Sequence, residues 1–194
     1  MTTAVVEPRL VIVRHGETEW SQTWRHTGRT DVPLTEEGRA KAAALRPRLA
    51  GRAFALVLTS PLQRARETAA LAGFPDAEVC DDLLEWDYGD DEGRTSMEIR
   101  EERPGWSIWS DGPKNGEPIA HVAVRAERVI DRALAANGDV LLFAHGHILR
   151  ILTARWLALE PEIGKRFLLA TAAPSTLGWE HDYRVIDSWS CRVP

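Results

Sequence analysis

Three short stretches of the chain are almost wholly apolar: Arg9–Val13 (RLVIV), Phe54–Leu58 (FALVL) and Val140–Ala144 (VLLFA). They are too short for core helices and rich in β-branched residues, so they predict strands buried on both faces. Helical signals follow each of them. Thr35 before Glu36 and Glu37 predicts a helix N-cap with acids in the first turn, and Leu45 and Leu49 share that helix's apolar face. Pro47 is a misfit there and predicts a kink or a shortened helix. Ser60-Pro61 predicts a capped helix with proline at its first position, running to about Ala72. His147–Leu157 predicts the helix after the third strand. The clearest helical period spans Glu117–Ala136, with Val122, Val129, Ile130 and Leu134 on one side.

Between these elements the pattern is lost. Residues 14–34 show no helical period and predict a long loop, a place where function concentrates. Residues 85–95 are acidic and punctuated by glycine, and also predict loop. Ala77–Cys80 predicts a weak strand, Ser96–Arg103 a short helix, and Gly105–Pro118 a surface excursion rich in Trp, Gly and Pro. Ser175–His181 and Arg184–Trp189 predict a closing strand pair. Strands alternating with helices predict a single α/β domain over residues 1–194, a three-layer α/β/α sandwich with a mostly parallel sheet.

Composition narrows the function classes. The chain has 194 residues, 44% hydrophobic and 27% charged, as in ordinary globular proteins. A formal net charge of −5 argues against a general nucleic-acid binder, while leaving room for a local basic pocket. No apolar run is long enough to cross a membrane, and residues 1–8 hold no signal-like core. Cys80 and Cys191 form no disulfide framework or metal spacing, which makes a reducing cytoplasm the default.

In an open, mostly parallel sheet, ligands bind outside the carboxyl ends of the strands. His15 follows the first strand and His145 the third, with Arg14 and Arg64 at or just beyond strand ends. Two histidines and two arginines converging there predict a site for an anion, since the guanidinium fork fits phosphate oxygens. His145-x-His147, with Asp87, Asp90 and Asp91 nearby, offers metal ligands but no complete zinc pattern, so no metal is expected. Neither a dinucleotide fingerprint nor a Walker-type loop is present, and no cofactor is expected.

The chain resembles the histidine phosphatase superfamily, which includes the phosphoglycerate mutases. The resemblance rests on ordered blocks: Arg14-His15-Gly16-Glu17-Thr18; Thr27-Gly28, Asp31 and Pro33-Leu34-Thr35; Ser60-Pro61 with Arg64 and Glu67-Thr68; Leu84-Glu85 with Gly89 and Glu92-Gly93; and His145-Gly146 with Arg150. It implies that His15 attacks phosphorus, that water then cleaves the phosphohistidine, and that Arg14, Arg64 and His145 surround the phosphoryl oxygens. It implies Glu85 as the general acid and then base. Ser21, Thr27 and the Gly28 backbone are candidate phosphate donors, and His26 a candidate contact to the substrate body. Asp31, Glu67 and Arg150 read as orienting or structural.

The short interval from Glu85 to His145 and the brief tail imply an open site that admits water, hence hydrolysis of a small phosphorylated metabolite. The Glu85-Trp86-Asp87-Tyr88-Gly89 wording resembles two branches: the broad-specificity acid phosphatases of actinobacteria and the sedoheptulose and fructose bisphosphatases. A bisphosphatase needs further cations, for which Arg25, His26, Arg29, Arg94 and Arg100 are candidates. Trp86, Trp106 and Trp109 either wall the entrance or pack in the core. A mutase, a protein phosphatase and a non-catalytic phosphate-binding domain remain as alternatives, the last requiring a pocket blocked by the tail. A homodimer is implied by the resemblance alone.

Overall fold

The computed structural model describes residues 7–191. The reading of residues 1–8 as free of a signal-like core therefore falls, for its first six positions, outside the described residues. The chain runs β1 (Leu10–Arg14), α1 (Glu19–Gln22), α2 (Glu36–Ala43), α3 (Arg46–Leu49), β2 (Leu56–Thr59), α4 (Gln63–Leu71), β3 (Glu78–Val79), α5 (Ser96–Glu102), α6 (Ile119–Leu134), β4 (Val140–Ala144), α7 (Gly146–Trp156), β5 (Pro174–Glu180) and β6 (Tyr183–Ser188). Short 3-10 turns lie at Asp81–Leu83, Gly89–Asp91 and Pro161–Arg166.

The strands form one sheet in the order β3-β2-β4-β1-β5-β6. The four strands from β3 to β1 are parallel, and β5 and β6 close the other edge antiparallel. The apolar runs are continuous because both faces of the central strands are covered. Leu10, Ile12, Val140 and Leu142 pack with α6 and α7 residues such as Val122, Val129, Ile148 and Leu152. Val11, Val13, Leu141 and Phe143 point the other way, onto Leu45, Leu49, Ala69 and Ala72. This strict alternation through two adjacent strands builds the expected three-layer α/β/α sandwich.

Several local expectations shift. The helix after Thr35 breaks into α2 and α3, with Pro47 in the first turn of α3, where its missing N–H is tolerated. Residues 14–34 contain a short helix, α1, closed by a capping box in which Thr18 and Ser21 bond each other's backbone N–H groups. Ser60 does not cap a helix that starts at Pro61. Helix α4 begins at Gln63, whose N–H donates to the Asp31 carboxylate at 2.9 and 3.1 Å, so the cap comes from a distant loop. The stretch after Gly105 is not wholly a surface excursion, because Trp106 and Ile108 are buried in the main core.

Register places the chemistry. Arg14 pairs with Ala144 across β1 and β4, so His15 and His145 emerge side by side, one step beyond matched strand ends. The His15 N–H donates to the Ala144 carbonyl at 2.9 Å, and the two imidazole centroids are 5.2 Å apart. Strands β5 and β6 lie at the sheet edge beyond β1, and the Ala172 N–H donates to the Arg14 carbonyl at 3.0 Å.

Candidate active site

A cavity of about 630 Å³ opens at the carboxyl ends of β1 and β4. Arg14, His15, Glu85, Gly146 and His147 line its floor, and Ser21, His26, Thr27, Trp109 and Arg150 line its walls.

The tautomer of His15 follows from one contact. Its Nδ1 lies 2.6 Å from the Gly16 carbonyl oxygen, which only accepts, so Nδ1 carries the proton and donates. Nε2 then keeps its lone pair. Burial, followed by the positive fields of Arg64 and Arg14, pushes the His15 pKa well below its ordinary value of 6.5; the Gly16 bond opposes this only partly. The ring is therefore neutral near neutral pH. Its loop is pinned from behind: the Gly16 N–H donates to Thr68 Oγ1 on α4 at 2.9 Å.

Arg14 lies beside it. One terminal nitrogen donates to the Leu169 carbonyl at 3.0 Å, while its buried Nε has no hydrogen-bond partner. A buried guanidinium donor left unmatched at the cavity floor is a ready seat for an anion's oxygen. Burial lowers the Arg14 pKa, against the opposing field of Glu85.

Arg64 and His145 are fully buried and lie behind the cavity wall, not on it. Arg64 Nε donates to His145 Nδ1 at 3.1 Å, and its terminal nitrogens donate to the carbonyls of Thr27, Gly28 and Thr30 at 2.8 to 3.1 Å. Since His145 Nδ1 accepts, its Nε2 is protonated and donates to Ser60 Oγ at 2.7 Å. Burial and the neighbouring Arg64 push the His145 pKa well down, so this pair carries one positive charge. The structure thus brings both residues to the site as a buried support joining loop 27–30 to the imidazole pair.

Glu85 sits over the N-terminus of α7. Its Oε1 accepts N–H bonds from Trp86 at 3.0 Å and Ile148 at 2.9 Å, and its Oε2 accepts one from His147 at 2.9 Å. A carboxylate oxygen has two acceptor positions, so Oε2 has one left. Gly146 lies against Oε2 and Arg14 and places no side chain between them and the cavity.

The expected phosphate donors divide. Thr27 lines the cavity, with its hydroxyl on the Arg25 carbonyl at 3.1 Å. Ser21 also lines it, but its hydroxyl is engaged in the α1 capping box with Thr18 at 2.9 Å. Gly28 is off the wall, and its N–H is spent on the Glu92 carboxylate at 2.8 and 3.0 Å. A Cβ there would lie 2.5 Å from Glu92 Oε2 and 2.6 Å from the Trp86 carbonyl, so this position needs glycine for close approach rather than for phosphate. His26 is buried on the wall, 3.3 Å from Ser96 Oγ, and burial lowers its pKa to about 4.

Of the proposed distal cations, Arg25 and Arg100 line the cavity, whereas Arg29 pairs with Glu117 and Arg94 with Glu102 away from it. Trp86 and Trp106 belong to the core, and only Trp109 of the three tryptophans lines the cavity. Among the described residues no group of three or more His, Cys, Asp or Glu side chains is arranged to hold a metal ion. No helix of the described residues is long and apolar enough to cross a membrane.

Sequence reasoning passed over two residues that line the cavity. Tyr88 is buried with its hydroxyl 2.6 Å from His147 Nδ1, whereas the sequence pattern offers His147 only as a metal ligand. The available signal was position: His147 stands in the first turn of a helix that starts at a functional strand end. Arg150, one turn further on, also lines the cavity, lies 4.7 Å from the Trp109 ring centre and donates to the Gly164 carbonyl.

Comparison with known proteins shows the family. The family model described as "Histidine phosphatase superfamily (branch 1)" matches residues 10–192. An acid phosphatase of Mycobacterium tuberculosis is 42% identical over 185 residues, covering 91% of this chain and 89% of that protein. The sedoheptulose 1,7-bisphosphatase of Saccharomyces cerevisiae is 38% identical over 186 residues, covering 78% of this chain and 68% of that protein. A solved structure of an open-reading-frame product from Mycobacterium tuberculosis superposes with a TM-score of 0.90 at 38% identity, covering 95% of this chain and 98% of that one.

Proposed function

The chain belongs to the histidine phosphatase superfamily, and on that premise we propose that it hydrolyses phosphomonoesters of small metabolites through a phosphohistidine at His15, without a metal ion. The observation that carries this is the Nδ1 contact of His15 to the Gly16 carbonyl, which leaves a neutral Nε2 lone pair facing a cavity whose floor holds an unmatched guanidinium nitrogen.

The reaction then runs in two displacements. Nε2 of His15 bonds to phosphorus as the ester P–O bond breaks, and protonated Glu85 gives its proton to the departing oxygen. Water next attacks the phosphohistidine, Glu85 takes a proton from it, and the N–P bond breaks to return His15 and release phosphate. Arg14 stabilises charge on the phosphoryl oxygens, and the Arg64–His145 pair supplies the positive field behind them. Arg14 at the seat and Arg64 behind it supply the positive charge, so charge neutralisation in this reading does not call on a metal.

The acid phosphatase and the sugar bisphosphatase relatives suggest two substrate ranges. One observation favours a substrate with a second anionic group: Arg100 and Arg150 line the cavity with no carboxylate ion-pair partner among the described residues. The testing experiment is phosphate release from a panel of phosphorylated metabolites after exhaustive chelation, with fructose and sedoheptulose bisphosphates and 3-phosphoglycerate included and mutase products monitored. Sustained hydrolysis is the expected result. Loss of activity restored by a divalent ion, or isomerisation without net phosphate release, contradicts the proposal.

A further inference from the structure

The proposed chemistry uses His15, Glu85, Arg14, Arg64 and His145, and leaves a second imidazole in the same cavity without a role. His147 stands in the first turn of α7. Its backbone N–H donates to Glu85 Oε2 at 2.9 Å, and both residues line the cavity. The ring is clamped by aromatic neighbours, with centroid distances of 5.0 Å to Trp109, 5.7 Å to Tyr88 and 5.9 Å to Trp86. Tyr88 OH meets its Nδ1 at 2.6 Å, and that is the hydrogen bond of each side chain among the described residues. Nothing in the described residues bonds Nε2.

The state of this pair can be deduced. Burial pushes the Tyr88 phenol well above its ordinary range and the His147 imidazole well below its own, so both are neutral. A buried phenol without a second partner donates its only proton to Nδ1, which places the single N–H proton of the neutral ring on Nε2. The surrounding wall carries hydroxyl groups as well, from Thr27, Thr95, Ser96 and Ser107, and the exposed indole of Trp24 stands at the mouth in a left-handed backbone conformation (φ 58°). Neutral donors and acceptors on one side and a flat apolar surface at the mouth match a polyhydroxylated carbon skeleton, which has both hydroxyl edges and C–H faces.

We propose that His147, held by Tyr88 within the cavity that contains His15 and Glu85, is a specificity-determining residue that hydrogen-bonds a hydroxyl oxygen of the leaving alcohol and selects polyol phosphates. The inference rests on the phosphatase reading of this cavity. By gripping the alcohol next to Glu85, His147 aligns the ester oxygen with its proton donor. Tyr88 is a positioning residue that acts through the ring. A site built to bond a hydroxyl discriminates against an analogue lacking it, because its own buried polar groups are then left unmatched.

The test compares kcat and KM for glucose 6-phosphate and phenyl phosphate in the full-length wild-type protein and in the His147→Gln, His147→Phe and Tyr88→Phe variants. The expected result is a fall of about tenfold in the glucose 6-phosphate to phenyl phosphate ratio of kcat/KM for His147→Phe, carried mainly by KM. Tyr88→Phe shifts the ratio in the same direction by a smaller factor, and His147→Gln retains part of the selectivity. Parallel losses on both substrates in all three variants overturn the proposal, since a merely structural role moves both together. Wild-type turnover of phenyl phosphate without turnover of glucose 6-phosphate overturns it too, while leaving the phosphatase reading intact. Absence of turnover with either ester and with the metabolite panel overturns both.

Discussion

The Nδ1 atom of His15 lies 2.6 Å from the carbonyl oxygen of Gly16, and this contact between neighbouring residues decides which ring nitrogen keeps its lone pair. It fixes the proton on Nδ1 and turns the lone pair of Nε2 to the cavity. Burial and two arginines keep the ring neutral, so the attack on phosphorus proposed above needs no separate base.

The first prediction concerns that ring directly. With its pKa held well below 6.5, His15 stays neutral, and protonated on Nδ1, as pH falls through 6.5. Nitrogen-15 NMR of labelled imidazoles checks this. A half-titration of His15 near pH 6.5, or a proton found on Nε2 instead, counts against the assignment.

Glu85 is expected to act through the leaving group. In Glu85→Gln no proton is available for the departing oxygen, so kcat/KM for an alkyl phosphate falls by about 10² to 10⁴-fold. An activated aryl ester, whose phenolate leaves unaided, loses far less. Steady-state kinetics over a series of leaving groups measures the difference, and equal slowing across the series removes the general-acid role.

Arg64 is a brace as well as a charge. Its guanidinium fork bonds three carbonyls and one imidazole nitrogen from a fully buried position. Arg64→Lys keeps the charge but cannot reach all four acceptors, and leaves several of them unmatched. A stability loss of about 2–4 kcal/mol is expected in urea denaturation. A midpoint and slope equal to those of the wild type contradict the bracing role.

The buried histidines give the fold an acid-sensitive side. The pKa of His26 is lowered to about 4 by burial, against an ordinary value of 6.5. Between those values the unfolded chain binds a proton that the folded chain does not, so folding stability falls as pH drops through the window and levels off below it. Replacing His26 with Gln removes about one proton from that slope, roughly 1.4 kcal/mol per pH unit. Denaturation curves from pH 7 to pH 4 check this, and an unchanged slope in the variant shows that His26 is not a contributor.

Much of this architecture was legible along the chain because its signals are local. Continuous apolar runs marked β1, β2 and β4, and Pro47 marked the break between α2 and α3. The position of His15 and His145 at the carboxyl ends of strands followed from the same runs, whereas the adjacency of those two strands did not. What escaped depended on distant partners. Asp31, not Ser60, caps α4, because a carboxylate 32 residues away reaches the Gln63 N–H. The α1 helix was hidden because its capping box ends in Ser21 rather than an acid or amide. The Gly- and Pro-rich stretch from Gly105 reads as a surface excursion, yet Trp106 within it is buried with its indole N–H on the Gly112 carbonyl.

The site shows the same division. Residue types and strand ends pointed to an anion pocket, but no local pattern tells that Arg64 faces inward to loop carbonyls or that the Gly28 N–H is consumed by Glu92. Nor does sequence spacing reveal the Tyr88–His147 contact, which spans 59 residues.

The central claim is that His15 carries the phosphoryl group, and the most direct measurement is to trap it there. The wild-type protein is mixed with a fast phosphomonoester substrate, quenched in alkali, digested with trypsin, and the peptide 15–25 examined by mass spectrometry. A phosphoryl group on His15, formed and lost at rates that match turnover and absent from the His15→Ala variant, is the predicted result. Undiminished turnover in that variant, or hydrolysis in which the label never resides on His15, contradicts the account.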